Sequence, residues 1–240
     1  MAERPVYIAQ LTGKSFVKKM NVSFQWYPGF AVVQKQKSIK SLHSEFIANF
    51  GKKKMLEISS KSDIELGFKL SAFNLSMKTK KSKQTMSVES AFQGSKVFEK
   101  GGPYKDLYFQ SSKKAKKDER IRNSGKLVGF KFFGENWPTE PKTLFYDWVY
   151  LNALYREAEL KSEVLNYTAF TDIEFNPKKS INCQAYSAAL FVSLTKRGLI
   201  EEALSSDLKF MNLMGVKKVK ERLKQKSEQL SLPGFDDIFY

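Results

Sequence analysis

The chain has 240 residues, enough for one large domain, and its 42% hydrophobic and 14% aromatic content is that of a folded protein rather than a disordered one. Forty-one Lys and Arg against 25 acids give a net charge of +16, which points to a polyanionic partner, nucleic acid first. One cysteine, Cys183, and one histidine, His43, exclude an internal disulfide, a cysteine-based zinc site and a His-rich metal site.

No apolar run approaches the ~18 residues of a membrane span. Met1–Gln10 lacks the apolar core of a signal peptide. A soluble, cytoplasmic protein without membrane contact is therefore expected, and a lone thiol suits a reducing compartment.

In chain order, residues 22–33 read as two short strands about a turn at Pro28-Gly29. Ser38 is a plausible N-cap for a helix with Ile39, Leu42, Phe46, Ile47 and Phe50 at helical spacing, stopped by Gly51. His43 lies on that helix with no partner suggested by spacing, and is read as structural. Lys54–Ser60 and Leu66–Met77 read as strands, and 78–87 as a basic loop.

A helix from Ser87 would end at Gly101-Gly102-Pro103. A lysine-rich segment, Ser111–Arg122, precedes a strand at 126–133. Pro141 fits the first turn of a long helix reaching about 161, with Leu144, Trp148, Leu151 and Tyr155 on one stripe. Tyr167–Phe175 is irregular or extended, and helices are expected at about 180–197 and 201–213. After Gly215 the composition turns basic, with six Lys or Arg in Val216–Glu228. Residues 1–213 are therefore read as the domain, and 214–240 as a basic helix or linker with a tail.

The most informative stretch is Ser87–Phe98. Read as a helix, it places Glu89, Gln93 and Lys96 on one polar stripe beside an apolar one. A carboxylate, an amide and an amine at the edge of a core suit acid–base chemistry, although the same stripe also describes a solvated helix face.

Val88-Glu89-Ser90-Ala91-Phe92-Gln93 with Lys96-Val97-Phe98 resembles the Glu-His-x-[FY]-Gln-x-x-Lys-[FY] signature of the NADAR family, named for NAD and ADP-ribose. Leu70-Ser71-Ala72-Phe73-Asn74 is similar to its Leu-Ser-Asn-Phe-Tyr strand, and Ala115-Lys116 falls in register with its Pro-x-x-Ala-Lys segment. The helix at 141–161 and the Asp172–Ala185 stretch occupy the remaining blocks. Three departures stand out: Ser90 replaces the family histidine, Ala72-Phe73-Asn74 replaces Asn-Phe-Tyr, and Lys179–Gln184 replaces an Asp-x-x-Trp-Gly block. With Trp26–Phe30 and Gln34–Ser38 included, the chain resembles the NADAR antitoxins paired with DarT-type DNA ADP-ribosyltransferase toxins.

That resemblance implies an α+β fold: a single compact helix-rich domain around a small mixed sheet, with a basic C-terminal extension. It implies an N-glycosidase that removes ADP-ribose from guanine in DNA, with no cofactor or metal, ADP-ribose as product and the DarT-type toxin as functional partner. Glu89 would be the acid–base residue, with Gln93 and Lys96 orienting it or the ribose. Lys35, just ahead of a helix N-terminus, would be an amine of lowered pKa able to attack the anomeric carbon. Lys37 competes for that role, and both lysines equally suit phosphate contact. Ser71, Phe73, Lys116 and Asp172 complete the implied substrate contacts.

Lys113, Lys117 and Arg120 are further candidates for diphosphate or DNA, and Phe92 and Trp137 for base stacking. The modified base must be accessible, so single-stranded DNA is the expected substrate. Gln229, Leu230, Leu232 and Phe235 resemble the peptide by which replication proteins bind the sliding clamp. The rival readings are a nucleic-acid binder without activity and a module that neutralises a toxin by contact.

Overall fold

The structure is a computed structural model that describes residues 1–79, 83–178 and 180–216. It begins with β1 (Ala2–Ala9), β2 (Val17–Phe24), α1 (Val32–Phe50), β3 (Met55–Glu57), α2 (Glu65–Lys69), β4 (Ser76–Lys78) and β5 (Thr85–Ser87). There follow α3 (Val88–Gly94), β6 (Lys96–Phe98), a 3-10 turn at Lys105–Phe109, α4 (Ser112–Lys117), α5 (Arg120–Asn123), β7 (Leu127–Phe132) and β8 (Glu135–Trp137). The chain closes with α6 (Leu144–Arg156), α7 (Ala158–Val164), β9 (Ala169–Thr171), α8 (Gln184–Lys196), α9 (Ile200–Leu204) and α10 (Asp207–Leu213). The class is α+β, as the resemblance implies.

Two compact units share the chain: Met1–Leu75 with Glu157–Gly198, and Ser76–Arg156 with the described part of Leu199–Tyr240. The first is built on a mixed four-stranded sheet in the order β2-β1-β9-β3, with β3 parallel to β9 and β1 antiparallel to both its neighbours. Alternation along β1 explains why two helices cover it. Val6 and Ile8 join Ile39, Leu42 and Phe46 of α1 in one apolar cluster. Tyr7, facing the other way, meets Tyr186 of α8 edge to face at 5.6 Å. Small residues Ala185, Ala188 and Ala189 are fully buried in α8 and let that helix approach closely.

The second unit has a two-stranded sheet β4-β5, a three-stranded sheet β6-β7-β8, and an aromatic core. Phe130 and Phe145 stack at 4.8 Å, Phe92 lies 5.4 Å from Phe130, and Trp137 meets Trp148 at 5.2 Å. Phe92, Phe130, Phe132 and Phe145 are all buried in this packing.

Several boundaries differ from the sequence reading. Only β2 forms from the expected strand pair at 22–33. Val32 and Val33 look like strand residues, yet helix-forming Gln34–Lys37 draw them into α1, so Ser38 is buried within the helix instead of capping it. Leu66–Met77 is not a strand: α2 and a turn come first, and only Ser76–Lys78 extends. The helix at Ser87 stops at Gly94, where an added Cβ would come within 2.6 Å of the Tyr108 ring, and Lys96 opens β6. The long helix at 141–161 is two, α6 and α7. The basic residues Lys80 and Lys81, Lys179, the 217–240 extension and the clamp-like peptide Gln229, Leu230, Leu232 and Phe235 lie outside the described residues.

Candidate functional site

In the second unit the site grows from the start of α3. Ser87 caps the helix by accepting the Ser90 N–H at 3.0 Å, and its hydroxyl also contacts the Ser90 hydroxyl. Ser112, at the start of α4, donates to Ser87 at 2.7 Å and ties the two helices together. All of α3 is buried, Glu89 included.

The expected trio meets in space. Gln93 Nε2 donates to Glu89 Oε1 at 2.9 Å, and Lys96 Nζ donates to Gln93 Oε1 at 2.7 Å. One amide thus links carboxylate to ammonium, with each end of the amide facing the group it suits. The path differs from the expected helical stripe, because Lys96 reaches Gln93 from a strand. Lys116 adds a second cation, its Nζ 3.7 Å from Glu89 Oε1.

Lys96 also lies 4.8 Å over the Phe92 ring. Burial lowers its pKa to about 8; Glu89 opposes that shift and Lys116 adds to it. Two amines around one carboxylate leave a local excess of positive charge, which suits an anionic ligand.

Other expected contacts are corrected. Phe92 and Trp137 are buried in the aromatic core and present no face for stacking. Arg120 is committed to acids on its own surface, 2.6 Å from Asp106 and 2.8 Å from Asp118. Lys113 and Lys117 are exposed on α4.

In the first unit the site gathers around α1. Lys35 occupies the first turn of that helix, not a loop ahead of it. Its Nζ lies 4.5 Å over the Trp26 ring and 3.8 Å from Glu174 Oε1. Arg4 covers the same indole at 5.4 Å. Lys37 is exposed and, two residues on, is rotated by about 200° around the helix, so the two lysines address different surroundings.

Ser71 is buried at the turn after α2 and accepts from Asn74 Nδ2 at 2.9 Å. Phe73, next to it, is half-exposed and does offer a face. Asp172 is buried, accepts the N–H groups of Glu174 and Phe175 at 3.0 and 3.1 Å, and bonds to the Gln184 side chain. Gln184 Oε1 in turn accepts the Ala72 N–H at 2.7 Å, so one side chain ties the Ser71 turn to the Asp172 loop. That is what stands where the family's Trp-Gly block is expected.

Beneath lies a buried chain the sequence reading missed. Thr171 Oγ1 donates to Glu57 Oε2 at 2.6 Å, and the Ile173 N–H donates to Glu57 Oε1 at 2.8 Å. With the Thr171 proton directed at Glu57, Thr171 Oγ1 is left to accept from His43 Nε2 at 2.8 Å. Burial pushes His43 down to about 4. It also raises Glu57, and it raises Asp172 well above the usual carboxylate range, with the Glu57 charge adding to the latter. The structural reading of His43 holds. The pairing of His43 with Thr171, 128 residues on, leaves no trace in local spacing.

Among the described residues no group of three or more His, Cys, Asp or Glu is arranged to hold a metal, and no helix is long and apolar enough to cross a membrane. No curated protein matches the chain. The family model described as DarT1-associated NADAR antitoxin matches residues 2–224, and the chain belongs to that family.

Proposed function

We propose that this antitoxin is an N-glycosidase that removes ADP-ribose from guanine in DNA, with Glu89 as acid–base residue and Lys35 as nucleophile. The observation that carries the reading is the buried Glu89 carboxylate, fixed by Gln93 and flanked by the amines of Lys96 and Lys116. Cleaving a base–ribose bond builds positive charge at the anomeric carbon and negative charge on the base. A buried carboxyl that protonates the leaving guanine relieves the negative charge, and the carboxylate left behind offsets the positive one.

In the proposed sequence the Lys35 amine attacks the anomeric carbon as the carbon–guanine bond breaks, and the guanine nitrogen takes its proton from Glu89. The carbon–oxygen bond of the ring then breaks, the ring oxygen takes a proton from the Lys35 nitrogen, and a protonated Schiff base on Lys35 remains. Water activated by the Glu89 carboxylate adds to that carbon, the amine departs, and ADP-ribose is released. Lys35, which is partly buried, is assigned the attack, and Lys37, which is exposed, is assigned to phosphate. Lys96 and Lys116 are assigned to the diphosphate, Ser71 and Asp172 to ribose hydroxyls, and Phe73 to stacking. The cognate toxin is the functional partner, and the clamp-like tail is a separate docking proposal that a pull-down with and without residues 229–240 decides.

The test incubates an oligonucleotide bearing ADP-ribosyl-guanine with wild type, Glu89→Gln and Lys35→Ala, and reads the products by mass spectrometry. Wild type should release ADP-ribose and unmodified DNA, and both variants should leave the substrate intact. Modified DNA that is bound but unchanged by wild type would instead identify a binder. Toxin-expressing cells rescued by Glu89→Gln would identify neutralisation by contact.

A further inference from the structure

We propose that the apolar loop entering α1, with Phe30 at its tip, is a surface on which bases of single-stranded DNA stack. This rests on the DNA reading above and adds a binding element outside the site residues. Phe30 is 101% exposed, and Tyr27, Val32 and Val33 beside it are exposed as well. An aromatic ring held wholly in water gains nothing for the fold, and an apolar group of this kind marks an interaction site.

The loop is held in place by its neighbours. The Gln25 N–H donates to Ser41 Oγ at 3.1 Å and the Tyr27 N–H to Ser38 Oγ at 2.9 Å, so two hydroxyls of α1 fix the backbone leading to the tip. Trp26 packs on Phe24 at 6.2 Å and anchors the entry from below. Gly29, at φ +125, makes the bend that turns Phe30 outward, a conformation a side chain there would resist. A ring displayed this way loses little freedom when a base stacks on it.

Charge selects the occupant. Between Glu3 and Glu45 the sequence carries one arginine, six lysines and no acid. Lys37, exposed on α1, follows the loop directly, and Lys40, also exposed there, lies 3.9 Å from Asp63. Aromatic faces alternating with cations are what single-stranded nucleic acid requires, bases on the rings and phosphates on the amines. A duplex hides its base faces, so the surface favours single strands.

Binding of a fluorescein-labelled, unmodified single-stranded oligonucleotide to the full chain, followed by anisotropy, tests this. Phe30→Ala should weaken binding roughly 10-fold and Phe30→Tyr by less than about 2-fold. Hydrolysis of ADP-ribosyl-guanosine, which offers no flanking bases, should be equal in wild type and Phe30→Ala. Equal affinity of wild type and Phe30→Ala for the oligonucleotide would overturn the proposal. So would a Phe30→Ala loss confined to purified toxin or to anionic phospholipid vesicles. Stacking through Phe30 in a protein that hydrolyses neither substrate would sink the glycosidase reading alone; hydrolysis of both with no effect of Phe30→Ala would sink the stacking surface alone.

Discussion

The two candidate sites, one in each unit, are made in opposite ways. Glu89, Gln93 and Lys96 fall within eight consecutive residues, and their hydrogen bonds follow from the end of one short helix and the start of the next strand. Lys35 takes its setting from Trp26, nine residues earlier, and from Glu174, which follows β9. The floor under that region is equally non-local, joining Glu57, Thr171 and His43. A local site can be read from a motif; a non-local one depends on the sheet that brings its parts together. Damage to the fold should therefore disturb the surroundings of Lys35 before those of Glu89.

The largest expected effect is at the local site. Glu89→Gln keeps the shape and the hydrogen bond to Gln93 but cannot exchange a proton, so kcat should fall by about 1000-fold with little change in melting temperature. A variant within 10-fold of wild type would remove Glu89 from the chemistry. Next, Lys35→Ala should cost at least about 100-fold in kcat, whereas Lys37→Ala should raise KM for DNA by a few-fold at most and leave kcat unchanged. The reverse order in single-turnover assays would exchange the two lysines.

Acid should sharpen the contrast through His43. Its pKa is about 4 in the folded chain against 6.5 when free, so between those values the unfolded chain binds more protons. The His43 contribution to stability should be flat above pH 6.5 and be lost as pH drops to 4, by on the order of 3 kcal/mol. Urea titrations at a series of pH values read this slope, and His43→Gln should flatten it.

Lys96 gives a second limb of the same sign and similar size at alkaline pH. Its pKa is about 8 folded against 10.5 free, so again the unfolded chain holds more protons across the interval, and stability should rise as pH climbs from 8 to 10.5. Lys96→Met should abolish that rise. Over the same range the wild-type affinity for ADP-ribose should weaken, since the ammonium assigned to phosphate is lost. Calorimetric titration at pH 7 and 9 measures it.

How much of this was legible in the sequence follows the same division. The Glu89 trio, the Gly51 stop and strand β7 rest on local spacing, and the α+β class rests on the family resemblance. Strand β1, which the sequence reading did not mark, is central to its sheet, and burial on both faces erases the alternation that announces a half-exposed strand. Lys35 was placed before a helix that in fact contains it, because two valines carried a strand bias that their helix-forming neighbours outweighed. Gln184, a departure from a family block, ties two loops through partners 112 and 12 residues away. No local pattern encodes such a link.

Borohydride trapping during turnover tests the pairing of Glu89 with Lys35 most directly. ADP-ribosylated oligonucleotide is mixed with the protein, the reaction is quenched with reductant, and the adduct is mapped by peptide mass spectrometry. The account predicts a reduced ADP-ribosyl adduct on Lys35 in wild type, none in Lys35→Ala, and a much slower appearance in Glu89→Gln. Full hydrolysis with no adduct, or an adduct on another lysine, would contradict it.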